Sequence, residues 1–101
     1  MKLLKQDYLK IISIFNSFFP EKQPVILAFG SRVDGTAKDY SDLDLIVQAE
    51  EMLPLSVYYQ LKDAFEYSTL NFRVDLLDWF RLSDEFKKTI EHKTVNLVQE
   101  I

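Results

Sequence analysis

The chain has 101 residues, 48% of them hydrophobic, with eight Phe, five Tyr and one Trp, and a formal net charge of −4. That is core material for one folded domain over residues 1–101, too little for a second substrate-binding domain, and too apolar for a disordered chain. The absence of cysteine excludes a disulfide scaffold and thiolate metal sites and fits a reducing cytoplasm; the acidic balance argues against direct nucleic-acid binding, and no apolar run is long enough to span a bilayer. The first ten residues carry Lys2, Lys5, Asp7 and Lys10 without an apolar signal core, so they do not read as a signal peptide.

The periodicity changes along the chain in a mixed α/β order. Leu4, Tyr8, Ile11, Phe15 and Phe18 recur at helical spacing, and Pro20 and Pro24 bracket the exit of that first helix. Residues 25–29 form a short apolar strand stopped by Gly30. Residues 31–41 read as a turn or one short helical turn. Residues 42–48 alternate, with Leu43, Leu45 and Val47 toward the core and Asp42, Asp44, Ile46 and Gln48 toward the other side. Pro54 opens a second long helix with Tyr58, Leu61 and Phe65 as its stripe, and residues 73–80 form a third strand. Ser83 caps a further helix with Asp84 and Glu85 in its first turn and Phe86 and Ile90 on one face. Residues 95–101 fit either a continued helix or an edge strand. The fold class expected is α/β (α+β): a mixed sheet with helices packed on one face and the active site on the other.

The only two glycines, Gly30 and Gly35, follow the first strand. A glycine at a strand end lets the backbone turn sharply, and the amides after it, with the Ser31 hydroxyl, can hold a phosphate. By themselves these residues are equally a plain turn. Asp42 and Asp44 lie two apart on a strand, with Cα atoms roughly 6.5–7 Å apart, so both carboxylates share one face. Side by side they repel unless a cation lies between them, and hard oxygen ligands suit Mg²⁺. A solvated strand face is the alternative. Asp75, between the core-facing Val74 and Leu76, can add a third carboxylate to that face, whereas Asp78 has the opposite parity and suits an anchor at the strand end. Neither Asp39 nor Asp42 starts an EF-hand pattern, and His92 lacks partners at zinc spacing. Tyr58, Tyr59 and Tyr67 read as packing residues rather than as a base-stacking platform.

Gly30-Ser31, ten intervening residues and Asp42-Leu43-Asp44 together resemble the GS-x10-D-x-D signature of the DNA polymerase β-like nucleotidyltransferases. A chance match arises in on the order of one in a thousand chains of this length. The likeness covers most of the chain and is strongest to the minimal nucleotidyltransferases that pair with HEPN-domain toxins, with residues 32–37 and 74–78 similar to theirs.

The resemblance implies an enzyme that transfers AMP from ATP, or another nucleotide from its triphosphate, to a hydroxyl of a HEPN ribonuclease toxin, tyrosine being the expected acceptor. It implies Gly30 and Ser31 as triphosphate holders, and Asp42, Asp44 and Asp75 as catalytic and metal-binding residues of a two-metal Mg²⁺ site. Asp75 also helps to deprotonate the acceptor. Arg32 and Lys38 are candidates for phosphate contact. Asp34, where many relatives carry a basic or neutral residue, would weaken triphosphate binding unless it points away. Two other functions compete: an antitoxin acting by complex formation alone, and a small-molecule, antibiotic-type nucleotidyltransferase, which would need a homodimer to build its acceptor pocket.

Overall fold

The computed structural model describes residues 1, 3–38 and 41–100. In chain order the elements are α1 (Lys5–Phe18), β1 (Val25–Phe29), α2 (Ser31–Asp34), β2 (Leu43–Gln48) and α3 (Leu55–Glu66), then β3 (Val74–Asp78), α4 (Asp84–Ile90) and β4 (Val95–Asn96). Short 3-10 turns follow β3 (Trp79–Arg81) and β4 (Leu97–Glu100). The four strands form one mixed sheet in the order β3-β2-β1-β4. β1 runs antiparallel to β2 and β4, while β2 and β3 are parallel. A parallel pair needs a long crossover, and α3 supplies it. This is the mixed α/β architecture that the changing periodicity predicts.

Helices α1 and α3 cover one face of the sheet. Ile11 and Phe15 of α1 and Leu61 and Phe65 of α3 meet the inward residues Ile26, Ala28, Leu43, Leu45, Val47 and Leu76, all buried. The Phe15 and Phe65 rings lie 5.3 Å apart at 60°. Each such side chain contributes roughly 1.5–3 kcal/mol on leaving water, so the helix stripes are what bind this layer to the sheet. The Tyr58 hydroxyl donates to the carbonyl of Leu76 at 2.8 Å, fixing α3 to the edge strand.

Several expectations need correction. Leu4 is not part of the α1 stripe: it sits at the N-cap and is exposed, because the helix begins one residue later. Pro54 caps α3 rather than starting it. The third strand stops at Asp78 instead of Phe80, since the Asp78 carboxylate accepts from Phe80 N–H at 3.1 Å and turns the chain into a 3-10 helix. Asp78 also accepts from Leu53 N–H at 2.9 Å and has Arg81 at 3.5 Å, so it anchors the strand end as its parity suggests. Ile46, expected on a polar face, is fully buried. The register lines it up with Leu27 and Leu77. Near this row Phe86 of α4 packs edge-on against Phe29, ring centres 5.8 Å apart. Part of α4 therefore reaches the second face, at Phe29 in the row of Asp44. The C-terminal ambiguity resolves to the edge strand β4 followed by a 3-10 turn whose Leu97 enters the core.

Candidate active site

Paired strand residues share a face, so the register places the site. Phe29 lies opposite Asp44, and Asp44 opposite Asp75, giving one row across β1, β2 and β3 on the face away from α1 and α3. Asp42 precedes β2 by one residue and lies on the same side as Asp44. The three carboxylates predicted from sequence are thereby brought together. Asp44 is half-buried, and its carboxyl is held above the ordinary carboxylate range, first by burial and then by the charges of Asp75 and Asp42. A half-buried carboxyl flanked by two further carboxylates is a site that favours positive charge.

Gly30 closes the row from the β1 side. Its φ of 83° and ψ of −157° lie in a region essentially restricted to glycine. A Cβ there would collide with Oδ2 of Asp44 and stand 3.3 Å from its Cγ. The backbone of Gly30 is thus pressed against the central carboxylate, and the chain then enters the single turn of α2. The carbonyl of Gly30 accepts from Val33 and Asp34, both at 3.0 Å. The Ser31 hydroxyl makes no hydrogen bond within the described residues and stays available at the start of the turn. Gly35, at φ 85°, ends α2.

The predicted basic residues separate. Arg32 is 8% exposed; its Nε donates to the carbonyl of Ser41 at 2.8 Å, and its guanidinium covers the Phe72 ring at 4.3 Å. Through these contacts it ties the loop before Asp42 to the body of the protein. Lys38 is exposed, and its backbone N–H donates to the Ser41 hydroxyl at 2.8 Å. Asp34 points into its own turn: its carboxylate accepts from the Thr36 N–H at 3.0 Å and hydroxyl at 2.6 Å, and these bonds lower its proton affinity. Asp39 falls outside the described residues.

Among the described residues no group of three acidic, His or Cys side chains is drawn in tightly enough to cage a metal alone. A divalent cation that takes one or two carboxylates and fills its shell with water and substrate phosphate needs no such cage. The donor set is all hard oxygen, and the raised proton affinity of Asp44 marks where a cation would relieve repulsion. The residues present therefore fit such an ion. A cleft of about 630 Å³ lies at the other end of the sheet, between residues 19–25 and 48–54, away from these carboxylates. No helix among the described residues is long and apolar enough to cross a membrane.

A mixed sheet carrying a Gly-Ser turn against three aligned carboxylates defines a nucleotidyltransferase-type site. The family described as "Polymerase beta, Nucleotidyltransferase" matches residues 9–100, and the chain belongs to it. It is 43% identical over 98 residues to the probable protein adenylyltransferase MntA of Haemophilus influenzae, covering 96% of this chain and 83% of that protein. It is 37% identical over 67 residues to the protein adenylyltransferase MntA of Thermococcus cleftensis, covering 66% and 67%. Among solved structures it resembles a toxin–antitoxin complex with AMP-PNP (TM-score 0.73, 27% identity, 90% of this chain and 72% of that one). It also resembles an MntA toxin–antitoxin complex in which two aspartates two positions apart are changed to glutamate (TM-score 0.71, 26% identity, 89% and 71%).

Proposed function

We propose that this chain is a protein adenylyltransferase that moves AMP from ATP to a hydroxyl, tyrosine being the expected acceptor, of a HEPN toxin partner, and so acts as an antitoxin. The observation that carries the reading is the alignment of Asp44 with Asp75 across β2 and β3, with Asp42 beside them and Gly30 pressed on Asp44. The adenylyltransferase relatives and the toxin–antitoxin structures support the same reading. A reducing, cytoplasmic setting goes with it.

Gly30 and Ser31 hold the triphosphate through backbone amides and the Ser31 hydroxyl. Asp42, Asp44 and Asp75 hold divalent metal, Mg²⁺ in this proposal. When bound, the metal neutralises phosphate charge and aligns the attack. The acceptor oxygen forms a bond to the α-phosphorus as the bond to the bridging oxygen breaks and pyrophosphate leaves. The exposed carboxylate of Asp75 takes the acceptor proton. Arg32 and Phe72 hold the loop that delivers Asp42.

The test is transfer of label from radiolabelled ATP to the co-purified toxin, comparing wild type with Asp42→Asn/Asp44→Asn. Label that vanishes in the double variant while the complex persists is the expected result. A stable, ATP-binding complex without label would instead leave an antitoxin working by complex formation.

A further inference from the structure

Leu43 pairs with Val74 and Asp44 with Asp75, and the ladder extends one step further, since Leu43 N–H donates to the carbonyl of Arg73 at 2.9 Å. Arg73 therefore lies level with Asp42. Because side chains alternate along a strand, it shares a face with Asp75, two residues on. It is exposed, and its guanidinium makes no ion pair or hydrogen bond with the described residues, although the Asp42 and Asp75 positions flank it. The cation is not spent on the site's own acids.

Its position relative to the triphosphate is set by strand order. Gly30 and Ser31 follow β1, and Arg73 immediately precedes β3, the far edge of the sheet. Two strand spacings separate them, roughly 10 Å, with the carboxylate row between. A triphosphate anchored at Gly30 and Ser31 directs its α-phosphorus toward Asp44 and Asp75. The incoming hydroxyl must then approach from the β3 side, where Arg73 stands. β3 has no further strand beyond it, so that side is open to a partner.

We propose that Arg73 is an acceptor-specificity residue, binding an anionic group that the toxin presents close to the modified hydroxyl. The partner group is a carboxylate, since a protein acceptor carries these natively and a guanidinium pairs with them bidentately. Arginine is also among the residues that carry a disproportionate share of interface energy. This inference rests on the proposed adenylyl transfer for its kinetic readout, but not for its binding readout.

The experiment uses the full chain, its co-purified toxin and ATP, with Arg73→Ala, Arg73→Lys and Arg73→Glu, and Lys22→Ala as a charge control at the other end of the sheet. The toxin Kd is measured by calorimetry with a non-hydrolysable ATP analogue present, and KM for toxin and for ATP are measured by label transfer. The expected result is a toxin Kd and KM raised about fivefold or more by Arg73→Ala, further by Arg73→Glu, and partly restored by Arg73→Lys. KM for ATP and kcat should stay within about twofold, and Lys22→Ala should match wild type. An unchanged toxin Kd, an altered KM for ATP, or a fall in kcat alone would each overturn the assignment. If wild type transfers no label, the transferase reading fails, while the Kd series still decides the role of Arg73.

Discussion

Replacing Gly30 by alanine tests the closest contact in the site. Two costs should add. The backbone at φ 83° and ψ −157° is nearly forbidden to a residue with a Cβ, at roughly 1–3 kcal/mol. The new methyl also lands on the Asp44 carboxylate, which must leave its rotamer at roughly 0.5–1.5 kcal/mol. Gly30→Ala should therefore destabilise by about 2–4 kcal/mol in urea unfolding, a large share of the roughly 5–15 kcal/mol typical of a small domain. In an Asp44→Ala background the carboxylate is gone and only Cβ of Asp44 remains, 3.6 Å away and in ordinary contact. The same substitution should then cost about 1–3 kcal/mol, leaving a coupling of roughly 0.5–1.5 kcal/mol in the double-mutant cycle. Gly35→Ala is the internal control. It shares the positive φ but has nothing within 4 Å of the new methyl, so it should show backbone strain and no coupling to Asp44. Equal costs of Gly30→Ala in both backgrounds, at constant m, would show that Gly30 does not press on Asp44 and would remove the geometric basis of the site.

Four other substitutions test further contacts of the fold and the site. Asp44→Asn should stabilise the metal-free chain at neutral pH, since the raised proton affinity of Asp44 means that the folded state binds its proton more tightly than the unfolded chain. The stability from that proton is full below the unfolded carboxylate value and is lost as pH rises through the raised folded value; thermal melts across the acid range should show this decline in wild type and its loss in Asp44→Asn, and a variant less stable at pH 7 would contradict the sign. The two buried tyrosines should respond in opposite ways: Tyr58→Phe loses the 2.8 Å bond to Leu76 and should cost about 1 kcal/mol, whereas the Tyr8 hydroxyl is buried without a partner, so Tyr8→Phe should be neutral or stabilising in the same melts. Asp78→Ala strips the acceptor from Leu53 N–H and Phe80 N–H in a fully buried position and removes the partner of Arg81, for a loss of roughly 3–5 kcal/mol; a change below about 1 kcal/mol would refute its anchoring role.

How far the sequence could be read depended on the range of the interaction that decides each feature. Strand parity is local, so residues 25–29 and the opposed faces of Leu43 and Asp44 were legible, and so was the side on which Asp75 lies. The three carboxylates were legible as one cluster because parity and the Gly-Ser spacing agreed. Ile46 was not, because its burial depends on a register that sets Leu27 and Leu77 beside it on the neighbouring strands. The contacts of Arg32 with Ser41 and Phe72 were not legible for the same reason: they join a loop and a strand approach that only the fold brings to it. The end of β3 hinged on one side chain, Asp78, accepting the N–H two residues ahead, a competition between turn and ladder that apolar patterning does not register. The contact between Gly30 and Asp44 was hidden as well, although glycine at a strand end before a serine was its signal.

The second face of the sheet changes character within a two-residue step along each strand, and that division is what lets so small a fold carry the site. Leu27, Ile46 and Leu77 form one row; Phe29, Asp44 and Asp75 form the next. In the first row Ile46 is fully buried between the partly buried Leu27 and Leu77, and the row contributes apolar burial that holds the strands together on this side. The second row is left to solvent and to ligand, and it works against stability through mutual repulsion of its acids. Phe29 joins the two, with one ring edge against Phe86 and its backbone leading straight into Gly30. A repulsive acidic row is tolerable only where adjacent strands are already fixed, which the parallel β2–β3 ladder and the buried Asp78 anchor achieve. The same repulsion is what a cation placed between these carboxylates would relieve.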